Sequence, residues 1–150
     1  MEIYLAIDYG EKQTGLALSS GVAITPLPAL KTSKEDFMKR LSELIMEKKI
    51  TTVVWGLCLD PNGNHTGLSS QIYLQAKLLA AKFPYLKMIF WDEYQTTKAA
   101  EELYAKVKGR SLSPAKIRQK KEKLDSLSAL LILRSYLDSL FPAEDLEECH

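Results

Sequence analysis

The sequence predicts a mixed α/β fold with one five-stranded sheet, antiparallel over three strands and then parallel, and with helices on both faces. Three short apolar runs joined by tight turns come first, the pattern of an antiparallel meander. From about residue 33 apolar residues recur at helical spacing, and helices then alternate with short strands. That alternation implies parallel strands linked by crossover helices.

The first three predicted strands cover residues 3–7, 15–19 and 22–30. Gly10 and Gly21 lie between them and suit tight turns, because glycine adopts backbone conformations that side chains disfavour. Such short connections make these strands neighbours in the sheet.

The remaining elements follow from period and capping signals. In the last helix, the apolar stripe is predicted to comprise Leu124, Leu127, Leu131 and Leu137. In order, the elements are a helix from Ser33 or Asp36 with Phe37, Leu41, Leu44 and Ile45 on one face, a strand at 51–55, a helix at 66–83, a strand at 87–91, a helix at 96–107 and a helix at about 115–140.

Length and composition indicate one domain with a full core. The 150 residues are 46% hydrophobic, and 20 basic residues balance 19 acidic ones, so net charge points to no partner. Two cysteines form neither a disulfide framework nor a metal motif. Without a signal peptide or a membrane-length apolar run, we expect a soluble cytoplasmic protein with no membrane partner. The domain is predicted to span 1–141, followed by an acidic tail at 142–150.

Acidic residues end two predicted strands and lie on the last helix. Asp8 follows the first strand, Asp92 and Glu93 end the last strand, and Asp125 lies beside the helical stripe. Each has an ordinary interpretation, since Asp8 suits a turn and Asp125 suits a solvated helix face. Only one of Asp92 and Glu93 can face a given site, because strand side chains alternate.

Together, these acids indicate a metal site. The carboxyl ends of parallel strands meet at one edge of a sheet, where α/β proteins place their sites. Carboxylates gathered there repel one another unless a cation balances them, and hard oxygen ligands favour Mg²⁺ or Mn²⁺. One or two such ions are the usual means of cleaving a phosphodiester, by activating water and stabilising the leaving oxygen.

Motifs in this order resemble the YqgF family of Holliday-junction-resolvase-like proteins, also described as nucleases that process the precursor of 16S ribosomal RNA. The resemblance rests on Ile-Asp-Tyr-Gly at 7–10, Thr-Gly-Leu-Ala-Leu-Ser at 14–19, Val-Val-Trp-Gly-Leu-Cys-Leu at 53–59, Trp-Asp-Glu-Tyr-Gln-Thr-Thr at 91–97 and Lys-Leu-Asp-Ser-Leu-Ser-Ala at 123–129. It covers almost the whole chain and implies a ribonuclease H-like fold. It also implies that Asp8, Glu93 and Asp125 are the catalytic, metal-binding acids.

The chain departs from the family pattern at positions close to these acids. Tyr94 stands where an arginine usually follows the Asp-Glu pair, and Gln13 where an arginine often follows Lys12. Cys58 replaces a proline. These departures motivate an alternative, a non-catalytic nucleic-acid-binding module that keeps the fold.

A basic arm between residues 106 and 123 leads into Asp125 and has Glu122 as its only acid. Such a run is often a solvated helix face, but beside an acidic metal site it suits binding of a polyanion, because phosphate neutralisation dominates nucleic-acid affinity. The residues expected to contact nucleic acid are Lys12, Lys98, Lys106, Lys108, Arg110, Arg118, Lys120, Lys121 and Lys123.

Among the functions considered, a metal-dependent endonuclease acting on structured nucleic acid, with precursor 16S rRNA as substrate, is the main hypothesis. A Holliday-junction resolvase is its nearest alternative, and that activity would need a homodimer to cut two strands symmetrically. An ATPase or kinase of the actin-like superfamily begins with a similar motif, but it needs a duplicated domain for which 150 residues are too few.

Overall fold

A computed structural model describes residues 1–57, 67–92 and 114–140, with the side chains of 114–125 excepted. The predicted helix at 96–107, residues 58–66 and the predicted tail at 142–150 lie outside these residues. The described strands are β1 (Tyr4–Asp8), β2 (Gln13–Ser19), β3 (Ile24–Lys31), β4 (Thr52–Leu57) and β5 (Lys87–Asp92), and the helices are α1 (Phe37–Glu47), α2 (Gly67–Lys82) and α3 (Pro114–Leu140).

The described strands form one mixed sheet in the order β3-β2-β1-β4-β5. β1 and β3 pair antiparallel with β2, whereas β4 pairs parallel with β1 and with β5. The predicted mixed α/β sheet is therefore confirmed. β1 and β4 are buried along almost their whole length, which explains why both read as continuous apolar runs.

β3 is an edge strand of the described sheet, and its sequence suits that position. It contains Pro26 and Pro28, which have no backbone N–H to donate. A central strand needs N–H donors towards both neighbouring strands, whereas an edge strand needs them on one side only. The β2–β3 register shifts between Thr14 and Leu16, so that β3 has one residue more than β2 there. The strand begins at Ile24 rather than at Val22, whose side chain is 95% exposed.

One face of the sheet packs against α1 and α2. Phe37, Leu41 and Ile45 of α1 are buried, as the helical spacing predicted. Ile72, Ala76 and Leu79 of α2 pack into the same core, with Phe83 partly buried against it. The sheet contributes alternate residues to this core, the largest being the fully buried Trp55 of β4.

The opposite face packs against α3. This core contains Tyr4 and Ala6 of β1 and Val54 of β4, with Ile89 and Trp91 of β5 packed against it. Helices thus cover both faces, as predicted.

The apolar stripe of α3 differs from the predicted one. Of the predicted leucines, Leu137 is buried, but Leu127 and Leu131 are only half-buried, and the side chain of Leu124 lies outside the described residues. The prediction was wrong because the helix offers apolar residues on several sides, and packing on the sheet selects the side. The buried residues of that side are Ser126, Ala129, Ile132, Leu133, Tyr136 and Leu137.

Candidate active site at the carboxyl edge of the sheet

The carboxyl ends of β1, β4 and β5 lie at the same edge of the sheet. Ile7 pairs with Trp55, and Leu57 pairs with Asp92, so β1 and β5 end at nearly the same level on either side of β4. With strands about 4.8 Å apart, the backbones of Asp8 and Asp92 lie roughly 10 Å apart across the sheet. Asp8 and Asp92 therefore end their strands at the same edge of the sheet.

Strand alternation places Asp8 on the face covered by α3. Tyr4 and Ala6, four and two residues before Asp8, both lie in the core formed with α3. The Asp8 side chain is half-buried and its residue pairs with Gly15 of β2. Gly15 itself adds no side chain at this cross-strand position.

Asp92 belongs to the other face. Met88, four residues earlier, accepts a hydrogen bond from Trp55 Nε1 at 3.4 Å within the core under α1 and α2. Phe90 contacts Tyr73 of α2 with ring centroids 4.7 Å apart. Trp91 lies on the α3 face, where its Nε1 donates to Ser135 Oγ at 3.0 Å. Alternation therefore separates Asp92 from Asp8.

α3 crosses the face that carries Asp8. Near its middle, Ser126 Oγ donates to the carbonyl oxygen of Leu27 on β3 at 2.7 Å. Towards its end, the ring of Tyr136 lies 6.2 Å from that of Tyr4 and 5.5 Å from that of Trp91. The helix thus runs from the β3 edge towards β5 over the strand that ends in Asp8.

The turn after Asp8 depends on Gly10. A Cβ at Gly10 would collide with the backbone carbonyl oxygen of Gln13, so no side chain fits there. Tyr9 turns to the other face, where it is buried with its ring 6.0 Å from that of Phe37. Burial, and to a lesser extent Glu11, raises the pKa of the Tyr9 hydroxyl, so this group stays neutral at physiological pH.

The structure describes only part of the predicted site. It describes Asp8 fully, Lys12 as an exposed side chain, and only the backbone of Asp125 within α3. Glu93 and the predicted contacts Lys98, Lys106, Lys108 and Arg110 lie outside the described residues, as do the side chains of Arg118, Lys120, Lys121 and Lys123. Among side chains that are described, no group of three His, Cys, Asp or Glu residues is placed to hold a metal ion.

Sequence reasoning missed a second basic surface at this edge. Lys31 ends β3, and Lys34 and Arg40 lie beside it around a surface depression of about 200 Å³. Their charges do not form a run in the sequence, because Glu35 and Asp36 interrupt them. Only folding brings these cations to one place.

No helix in the described parts of the chain is both long enough and apolar enough to cross a membrane.

A solved structure, "T. thermophilus RuvC in complex with Holliday junction substrate", superposes on the chain with a TM-score of 0.57 at 18% identity, covering 94% of this chain and 98% of that one. The likeness shows the fold, and the ribonuclease H-like expectation is confirmed. Two relatives bear the name "Putative pre-16S rRNA nuclease". The protein of Chlamydia pneumoniae is 36% identical over 148 residues, covering 91% of this chain and 90% of its own. That of Geobacillus sp. (strain WCH70) is 34% identical over 142 residues, covering 90% and 96%.

A family model described as "RuvX: Holliday junction resolvase" matches residues 2–139. That match spans every described element from β1 into the last turn of α3. The chain therefore belongs to the RuvX family, the family of the YqgF-type nucleases that its motifs resemble.

Proposed function

We propose that this protein is a metal-dependent endonuclease that hydrolyses phosphodiester bonds in structured nucleic acid, with the 5′ end of precursor 16S rRNA as its substrate. The observation that carries the proposal is the placement of Asp8. Its half-buried carboxylate ends a buried strand, at the carboxyl edge of the sheet, on the face crossed by α3. An acid in such a position is costly unless a cation or hydrogen-bond donors balance it.

Glu93, rather than Asp92, is the proposed second acid. Side chains alternate along β5, with Ile89 and Trp91 on the face of Asp8 and Asp92 on the other. The proposal extends this alternation by one position beyond the described strand, which would give Glu93 the face of Asp8. This supports the choice between the two acids that the sequence left open.

Asp125 is the proposed third acid. It lies four residues before Ala129 and seven before Ile132, both fully buried against the sheet. Because residues three, four and seven apart share one side of a helix, position 125 belongs to the side that faces the sheet. Ser126, the next residue, holds this part of α3 on β3.

This donor set fits a hard divalent cation. Three carboxylates supply only oxygen ligands, which Mg²⁺ and Mn²⁺ prefer over the nitrogen and sulfur ligands of softer metals. One or two such ions would supply Lewis acidity, both to activate water and to stabilise the leaving oxygen. The protein's part would be to hold the substrate phosphate against these ions, with Asp8, Glu93 and Asp125 as the residues that would bind them.

The names of the relatives support precursor 16S rRNA as substrate, and such a nuclease would act in the cytoplasm. The basic arm supports the same proposal, since Arg118, Lys120, Lys121 and Lys123 directly precede Asp125. Cations there would attract the phosphate backbone without reading its sequence.

The test is cleavage of a precursor 16S rRNA fragment by the full chain with Mg²⁺ and then with Mn²⁺. Asp8→Asn keeps the size of the side chain and removes its charge. Loss of a residue that only supports a metal ligand costs up to roughly 100-fold, so loss of a direct ligand should reduce the cleavage rate by at least that much. If Asp8→Asn cuts as fast as the parent, the proposed site is wrong.

A matched pair of variants tests the assignment of the second acid. Glu93→Gln is expected to abolish metal-dependent cleavage, whereas Asp92→Asn, one residue away on the other face, should cut within a few-fold of the parent rate. The readout is the initial rate at saturating Mg²⁺. The reverse result would show that β5 presents Asp92 to the site.

Resolution of branched DNA is the second candidate, because the matching family model is described as a Holliday junction resolvase. A resolvase cuts two strands symmetrically and therefore needs a homodimer. A synthetic four-way junction, offered beside the RNA at equal concentration, separates the two activities. Symmetric cuts in the junction together with intact RNA would favour the resolvase. If the protein binds RNA but neither cleaves it nor binds Mg²⁺ or Mn²⁺, the non-catalytic module would be favoured.

A further inference from the structure

We propose that the depression beside β3 is a phosphate-binding surface that holds the nucleic acid to one side of the cleavage site. This inference extends the proposed function and rests on it for the position of the cut. The lining of the depression carries three cations, Lys31, Lys34 and Arg40, against the single carboxylate of Asp36. Its volume of about 200 Å³ is several times the roughly 30 Å³ that one water occupies, so it has room for a phosphate group.

The depression lies at the edge of the sheet that carries Asp8. Lys31 pairs with Gln13 at the start of β2, and Thr32 N donates to the carbonyl oxygen of Lys12 at 3.0 Å. The turn that contains Lys12 connects directly back to Asp8. The edge-to-face contact of Tyr9 with Phe37 holds the start of α1 against the same turn. Exposed cations thus continue from this turn to the depression.

One residue pair shapes the charge of the depression. Arg40 Nε donates to Asp36 Oδ2 at 2.7 Å across one helical turn. This bond lowers the pKa of Asp36, which therefore stays ionised at physiological pH. It orients the guanidinium while leaving its other N–H donors available to an anion. Ala29 and Leu30 add an apolar surface that a sugar can contact.

The charges favour a nucleic-acid backbone as the occupant. Lys31, Lys34 and Arg40 are all exposed, so a polyanion reaches them without any rearrangement. Exposed Glu11 and Glu35 lie nearby in sequence but do not line the depression. Because β3 lies two strands from β1, the depression is roughly 10 Å from the end of β1 across the sheet. A phosphate bound in the depression would therefore lie within a few nucleotides of the cut.

The test measures binding of a fluorescein-labelled RNA hairpin with single-stranded flanks, in EDTA so that no metal-dependent cleavage occurs. Lys31→Ala/Lys34→Ala should weaken binding several-fold. Each lost single-strand phosphate contact lowers the magnitude of the slope of log K against log salt by about 0.7, so the loss of two contacts should lower it by about 1.4. Lys77→Ala/Lys82→Ala, which removes two exposed lysines of α2, is the matched control and should leave the slope unchanged. An unchanged slope in the first variant would overturn the proposal.

A charge-increasing variant and a trimmed substrate sharpen the test. Asp36→Asn keeps a residue suited to starting α1 and removes the one negative charge that lines the depression, so we expect several-fold tighter binding. If the Arg40–Asp36 pair only stabilised α1, this variant would bind RNA no more tightly than the parent. Equal or weaker binding therefore contradicts the proposal. Trimming one flank should cost the parent affinity but leave the Lys31→Ala/Lys34→Ala variant nearly unaffected, whereas equal losses in both proteins would also contradict it.

The results separate this inference from the proposed function. If the parent binds and cleaves RNA but the lysine variant keeps its salt slope, only the phosphate-binding surface is wrong. If the parent binds RNA with the expected lysine dependence but never cleaves, only the endonuclease proposal is wrong. If the parent binds no RNA, both fail.

Discussion

Gly10 determines how the chain leaves Asp8. The backbone turns within four residues of β1 to begin β2 at Gln13, and the Gln13 carbonyl comes too close to position 10 for any Cβ. Asp8 therefore ends its strand next to a turn that glycine makes uniquely tight. The turn also separates Asp8, on the face of α3, from Tyr9, which packs against Phe37 on the other face.

Replacing Gly10 by alanine should destabilise the protein by about 1–3 kcal/mol, because the collision is with backbone and can be relieved only by moving the hairpin. Urea unfolding followed by circular dichroism measures the change. Gly67→Ala is the control, since no described atom beyond its chain neighbours and its own helix lies within 4 Å of a Cβ there. Because α2 begins at this residue, alanine should be neutral or slightly stabilising. Equal stability of the parent and the Gly10 variant would contradict this account of the turn.

At the scale of elements, α3 connects the edge strand to the site. Ser126 is buried, and its hydroxyl donates to a carbonyl of β3 that is 99 residues away in the sequence. The acceptor, Leu27, precedes Pro28 where the β2–β3 register shifts. This bond holds the part of α3 that contains the proposed acid Asp125.

Ser126→Ala should lower the free energy of unfolding by about 1 kcal/mol, the usual net value of one buried hydrogen bond. Ser139→Ala is the matched control, because Ser139 Oγ bonds to Tyr136 O within the same helix and its side chain is exposed. We expect less than about 0.5 kcal/mol for that surface change. If both variants lose the same stability, as measured by urea unfolding, the bond to Leu27 does not hold α3 in place.

For the whole molecule, charge distribution matters more than net charge. The formal charge of +1 conceals two basic regions, the arm before Asp125 and the depression beside β3. A substrate that spans both would neutralise several phosphates and bind with a strong dependence on salt.

Lys120→Ala/Lys121→Ala is expected to weaken RNA binding and to flatten its salt dependence, with the same effect on RNAs of different sequence. Backbone contacts carry no sequence information, so the loss should be uniform. Fluorescence anisotropy at several salt concentrations provides the measurement, again with Lys77→Ala/Lys82→Ala as control. An unchanged slope, or a loss confined to one sequence, would count against the arm as a backbone-binding surface.

Much of the fold follows from local patterns along the chain. The spacing of Phe37, Leu41 and Ile45 gives α1 one apolar side, and the continuous run at 52–57 belongs to a strand buried on both faces. The candidate site was predictable in part, because Asp8 directly follows a buried strand. The proposed second acid, Glu93, came from the family resemblance and not from the strand pattern, because Asp92 and Glu93 are equivalent in that pattern until contacts of Met88 and Trp91 assign β5 to its two faces.

The sequence by itself determined the order of the described elements, the apolar faces of α1 and α2 and the family to which the chain belongs, since these depend on neighbouring residues and short motifs. Only the tertiary structure decided that β4 lies beside β1, which side of α3 is buried, and that Lys31, Lys34 and Arg40 surround one depression. These features arise from pairing and packing between distant segments. Local periodicity leaves several registers and helix rotations open, and the free energy of burying the whole core selects among them.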